Sequence, residues 1–158
     1  MVYSIAGILL IQGKLDEAIA QYGAHLDSPD PDPTLVRRSR ARLREAYVAL
    51  SARRAGAGDQ DGAVQALEDR VRLGEMEAAD YHTLALGYGR AGRFGRAEDA
   101  ARMALRLDGG MTIARLTLAN ALFEQKKPEA FRHYTAFVET WEGDPKPLQL
   151  AQDRLRRA

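Results

Sequence analysis

Apolar residues in this chain recur at the three- and four-residue steps of an α-helix, and strand signals are nearly absent. β-Branched residues are sparse, while Ala, Leu, Arg and Glu dominate, a composition that favours helix at almost every position. Glycine and proline clusters punctuate this background into a series of short segments. The pattern predicts helices over 2–12, 15–27, 34–56, 61–73, 78–91, 94–107, 111–125, 128–141 and 146–157. The fold class is therefore all-α. In the predicted helix 34–56, Val36, Leu43, Tyr47 and Leu50 define one side. In the last helix Leu148, Ala151 and Leu155 share a face, with Gln152, Asp153, Arg154, Arg156 and Arg157 on the others.

The chain is also similar to itself. Ile5-Ala6, Leu9, Gly13, Leu15, Ala18 and Leu26 align with Leu84-Ala85, Tyr88, Gly92, Phe94, Ala97 and Leu105, with every spacing equal. The alanine of the second helix recurs as Ala63 and Ala130, so Ala63 and Ala97 lie 34 residues apart and Ala97 and Ala130 lie 33 apart. Two antiparallel helices joined by a tight turn approach closely only where side chains are small, so Ala6 is expected to meet Ala18, and Ala85 to meet Ala97. Gly13 and Gly92 end the first helix of each pair, where a left-handed residue costs least as glycine. Leu15 and Phe94 are expected to fill the gap between one pair and the next.

The blocks AGILLIQGKLDEAIAQYGAHL and LALGYGRAGRFGRAEDAARMALRL resemble tetratricopeptide repeats, a helix–turn–helix family with a 34-residue period. The resemblance implies a right-handed α-α superhelical solenoid of about four helix–turn–helix repeats plus a C-terminal capping helix. The repeats would occupy 2–29, 34–74, 78–109 and 111–142 of a single domain spanning 1–158, with the cap at 146–157. The block 43–73 fits less well, because the turn over 54–61 is read as longer than the family's.

Two departures carry information. Ala18 and Ala63 are 45 residues apart, 11 more than one repeat, and the excess lies mostly in 33–44. Eleven residues is close to three helical turns, so the second repeat's first helix can lengthen to about 23 residues without rotating its buried face. Asp32 is placed to cap it ahead of Pro33. The other departure is the very apolar first helix, which has almost no lead-in. Solenoids normally end in polar faces, so the chain reads as a piece of a longer protein, or as one that buries this end in a partner. At the other end, Asp144-Pro145 starts a solvating cap helix with Trp141 beneath it.

Composition excludes more than it assigns. With no cysteine there are no disulfides and no Cys-based metal or redox site, and the redox compartment is unread. The net charge of +1 gives no global attraction to nucleic acid or anionic lipid. The apolar stretch 5–11 has no basic residues before it and no small-residue cleavage site after it, so it is read as a helix and not a leader. No run approaches the ~20 apolar residues of a membrane span.

Gly87-Tyr88-Gly89-Arg90-Ala91-Gly92 matches G-x-G-x-x-G, yet residues 81–86 before it carry helical spacing where a nucleotide fingerprint needs a strand. Asp59-Gln60-Asp61-Gly62 with Glu68 mimics part of a calcium loop, but the first ligand position falls on Ala57, and Asp61 is read as a helix cap. His25, His82 and His133 lie in different repeats without zinc-site spacing. The serines Ser4, Ser28, Ser39 and Ser51 have no neighbouring histidine or lysine to activate them. The reading is a non-enzymatic chain with no catalytic residue, metal or cofactor site.

Two surfaces remain as candidates for a partner. In the resembling family, the first helices of successive repeats line a groove that receives peptides or helices. Carried over by position, that groove comprises Tyr3 and Leu10, then Leu50 and Arg53, then His82, Leu86 and Arg90, then Asn120 and Phe123. Of the lysine and asparagine pattern that binds terminal carboxylates in some members, only Asn120 is present. The implied groove is apolar with a basic rim, suited to an amphipathic helix or an extended peptide. The second surface is the arginine run Arg37, Arg38, Arg40, Arg42 and Arg44, read as a solvated helix face, a contact for an acidic protein, or a phosphate-backbone contact. Self-association through the first helix is a further alternative, giving a homo-oligomer.

Overall fold

The computed structural model describes residues 4–30, 32–74 and 76–157. Among them are nine α-helices and no strand: α1 (Ile5–Ile11), α2 (Leu15–Leu26), α3 (Pro33–Gly56), α4 (Gln60–Arg72), α5 (Ala78–Arg90), α6 (Phe94–Leu107), α7 (Thr112–Glu124), α8 (Glu129–Thr140) and α9 (Pro145–Leu155). They form two compact units, one ending at Glu75 and the other beginning at Met76.

One turn is built four times. Gly13 N–H donates to Leu10 O and Lys14 N–H to Leu9 O; Gly58 and Asp59 donate to Ala55 O and Arg54 O; Gly92 and Arg93 to Gly89 O and Tyr88 O; Lys126 and Lys127 to Phe123 O and Leu122 O. This paired pattern is the Schellman motif, which satisfies the last free carbonyls of a helix through one left-handed residue. That residue is glycine at 13, 58 and 92, with φ of 72°, 85° and 71°, and lysine at 126, with φ of 58°. Its spacing is 45, 34 and 34 residues, the interval of the sequence repeat.

In the first unit, Ser4 caps α1 by accepting from Gly7 N–H at 3.2 Å. Residues 2 and 3 of the expected first helix, and Tyr3 with them, lie outside the described residues. Ala6, Ala18, Tyr22 and Leu43 form one core cluster, so α1 and α2 do meet through alanines. Leu15 joins Leu50 of α3 and Ala66 of α4 in a second cluster, filling the gap as its sequence position implies. α3 runs 24 residues. Asp32 starts it by accepting from Thr34 and Leu35 N–H. Buried Ser39, facing His25 Nδ1 at 3.3 Å, lies on its inward stripe.

The structure departs from the sequence pattern at two local points. α3 ends at Gly56, as its pattern predicts, and α4 begins at Gln60, so the turn between them is as short as the other glycine turns and not longer. The cap of α4 is Asp59, whose Oδ1 accepts from Gly62 N–H at 2.8 Å, and Asp61 sits inside the first turn.

In the second unit, α5 through α9 pack each on the next. The faces are small: Ala85 on α5, Ala97, Ala101 and Ala104 on α6, Ala119 on α7, Ala130 on α8 and Ala151 on α9 are all essentially inaccessible. Ala18, Ala63, Ala97 and Ala130 therefore occupy equivalent buried positions on the second helix of each pair. The glycine-free turn is staked down by Glu98 of α6, which accepts from Lys127 Nζ at 2.6 Å and Gln125 Nε2 at 3.0 Å. Opposing cations and amide donors hold the Glu98 carboxyl below its ordinary value against the opposite pull of partial burial. At the end of the unit, Trp141 stacks on Phe137 at 5.1 Å and donates Nε1–H to Asp144 O, and Asp144 caps α9.

Because nothing lies within 4 Å of a Cβ built on Gly92, its substitution is strained by φ alone. Gly92→Ala is expected to lose about 1–2 kcal/mol, and Lys126→Gly to gain up to about 1 kcal/mol, in urea unfolding.

Candidate peptide-binding cleft

The second unit contains a cleft of about 490 Å³ whose walls come from α5, α6, α7 and α9. Its floor follows from the packing rule. Ala85, Ala97 and Ala121 are small because the helices cross there, and small residues leave a hollow on the open side. Leu86 on α5 and Leu150 on α9 stand on the walls, 38% and 41% exposed.

Polar groups are few and mostly engaged. Asn120 accepts from the Tyr134 hydroxyl at 2.7 Å through Oδ1, and burial pushes that phenol up to about 12. Glu124 accepts from Arg154 at 3.2 Å, and the same guanidinium lies 4.0 Å from the Phe123 ring centroid. Arg90 lines the cleft exposed, with no carboxylate partner among the described residues.

His82 meets Thr117, a lining residue, at 3.0 Å. The Thr117 hydroxyl gives its own hydrogen to Ile113 O, so His82 Nε2 is the donor. Burial pulls the His82 imidazole below its ordinary value. His133 is lowered as well, by burial that outweighs its contact with Glu129.

Of the groove positions expected from sequence, Leu86, Arg90 and Asn120 come together here. His82 supports the cleft through Thr117. Phe123 supports it from beneath Arg154, edge-on to Phe131 and Tyr134 at 6.2 Å each. The first unit differs. Leu50 is 4% exposed in a core cluster, because its turn of α3 faces α2 and α4, so it packs inside and presents no surface. Leu10 is half-buried against both clusters. Arg53 donates to Gly13 O and to Asp16 Oδ2 at 2.9 Å, tying α3 to the first turn. In the arginine run, Arg37, Arg38 and Arg40 are exposed, Arg42 pairs with Glu45 at 2.7 Å, and Arg44 donates to Gly74 O at 3.0 Å.

Sequence reasoning missed Leu150 and Arg154. The signal was present, since Leu150 is a large apolar residue off the Leu148, Ala151 and Leu155 face. The residues resembling a nucleotide fingerprint end a helix at Gly92 and do not open one. Among the described residues no helix is long and apolar enough to cross a membrane.

No family model matches the chain, and no curated protein matches it at a significant level. Solved structures do. The second TPR domain of human RPAP3, solved with the HSP70 peptide SGPTIEEVD, is 15% identical with a TM-score of 0.65, over 75% of this chain and 99% of that one. YrrB, a TPR protein described as having an unusual peptide-binding site, is 17% identical with a TM-score of 0.61, over 96% and 75%. TTC0263, a thermophilic TPR protein of Thermus thermophilus, is 25% identical with a TM-score of 0.55, over 98% and 79%. The fold is that of the tetratricopeptide repeat. The helix pairs α1–α2, α3–α4, α5–α6 and α7–α8 are its repeats, and α9 follows them as a single helix.

A histidine whose folded form resists protonation contributes stability that is present above its ordinary value of 6.5 and lost as pH falls. Urea unfolding is expected to show lower stability near pH 5 than near pH 7.5. His82→Gln, which keeps a donor for Thr117 and does not titrate, is expected to flatten part of that acid limb.

Proposed function

We propose that this chain is a non-enzymatic interaction scaffold whose second unit holds a segment of another protein in the cleft of α5, α7 and α9. The observation that carries the reading is the pair of exposed leucines, Leu86 and Leu150, over a floor of alanines, with Arg90 unpaired on the rim. An apolar side chain of the ligand seats between the leucines, where its transfer from water supplies affinity. Arg90 and the Asn120 amide donate to carbonyl or carboxylate oxygens of the ligand and set its register. The peptide held by the RPAP3 domain and the peptide-binding site ascribed to YrrB support a peptide as the ligand class.

Peptides selected from a random library on the wild-type chain are expected to bind Leu86→Glu or Leu150→Glu at least about tenfold more weakly, or about 1.4 kcal/mol. Helix content by circular dichroism should stay constant. Undiminished affinity in both variants rejects the cleft.

A second reading is favoured by α1, where Ile5, Ile8 and Ile11 are 69%, 43% and 75% exposed along the helix. An apolar stripe of this kind on a helix suits pairing with a second copy. Sedimentation is expected to show a concentration-dependent dimer that Ile5→Glu with Ile11→Glu returns to monomer. A monomer at all concentrations in the parent chain removes this reading.

A further inference from the structure

A second hollow in the same unit shares no lining residue with the cleft. It consists of two adjoining cavities of about 380 and 320 Å³ that have Leu105 and His133 in common. Leu105 of α6, Leu118 of α7 and Ala136 of α8 give it an apolar lining. Arg102 and Arg106 of α6, Arg115 of α7 and Arg132 of α8 surround that lining.

The charges there do not cancel. Glu129 accepts from Arg102 at 3.1 Å and Arg132 at 3.0 Å, and meets His133 at 3.3 Å. Glu98 meets Arg102 at 3.0 Å but is also held by Lys127. Arg106 directs its guanidinium to the Met103 sulfur, and Arg115 donates to Gly109 O at 3.2 Å. Neither Arg106 nor Arg115 meets a carboxylate among the described residues. Arg115 also stands in the first turn of α7, the end of a helix at which the dipole disfavours a cation. Its placement does not serve the helix.

We propose that this hollow docks an acidic protein segment carrying a leucine- or phenylalanine-like side chain. The apolar side chain seats on Leu105 and Ala136, and flanking carboxylates of the segment pair with Arg106 and Arg115. Charge complementarity of this kind speeds encounter and sets register, while the apolar contact holds the complex. The apolar lining favours protein over nucleic acid, whose backbone offers no aliphatic side chain to fill it, and the fixed carboxylates Glu98 and Glu129 oppose a continuous run of phosphates.

The test uses a display library of short acidic peptides with variable leucine and phenylalanine positions, selected on the full chain at low salt. Enriched peptides are expected to combine carboxylates with an apolar anchor. They should bind Arg106→Glu/Arg115→Glu at least about tenfold more weakly and Leu86→Glu unchanged. Arg106→Ala and Arg115→Ala are expected to keep the parent's thermal midpoint and each to weaken binding several-fold, which covers the case in which the charge-reversed protein misfolds. Four results would overturn the proposal: no enrichment of acidic peptides, equal binding to the charge-reversed and single-alanine variants, loss caused by Leu86→Glu instead, or polyuridylate binding through Arg106 and Arg115 without peptide binding.

Discussion

Close approach between paired helices governs this protein, and it rests on two local features that occur together. A left-handed turn residue closes the first helix while satisfying its last carbonyls, and an alanine about five residues later lets the second helix return against the first. Neither suffices alone. A tight turn followed by a bulky residue would force the helices apart, and an alanine without the turn would meet no partner. The repeated interval of the turn residues at 13, 58, 92 and 126 is this pairing written along the chain.

The same constraint creates the surfaces that could work for a partner. Helices held close by alanines leave hollows where the opposite side is open, and the α5–α9 cleft and the hollow beside α8 both have alanine in their lining. What differs is the surround. The cleft of α5, α7 and α9 is edged by leucines and a single uncompensated guanidinium, whereas the hollow beside α8 is ringed by arginines that outnumber their carboxylates. One scaffold thereby offers two chemically distinct recesses without altering its packing.

Much of this was legible in the sequence, because a repeated interval of glycine and alanine has few structural meanings. The helices, the cap at Asp32, the filling role of Leu15 and the tie between Trp141 and the last helix could be read from spacing and residue type. What escaped depends on three-dimensional direction. Leu50 lies on the same side of α3 as Leu43, and α2 and α4 cover it there, so a position carried over as groove-lining is core. Asp59 and Asp61 are equally good caps by composition, and the start of α4 at Gln60, one residue earlier than the pattern predicts, gives the role to Asp59. Leu150 stands out in the sequence as an apolar residue off the buried face of α9, but its place in the cleft with Arg154 follows from how α9 packs on α8 and brings Arg154 to Glu124 of α7.

The central claim, that alanine at the crossing permits the pairing, is tested most directly by comparing unfolding free energies of Ala97→Leu and Ala79→Leu. Ala97 is 1% exposed at the crossing, and Ala79 is exposed on α5. Overpacking should cost Ala97→Leu about 1–3 kcal/mol, while Ala79→Leu stays within about 0.5 kcal/mol of the parent. Equal stability of the two variants would contradict the account.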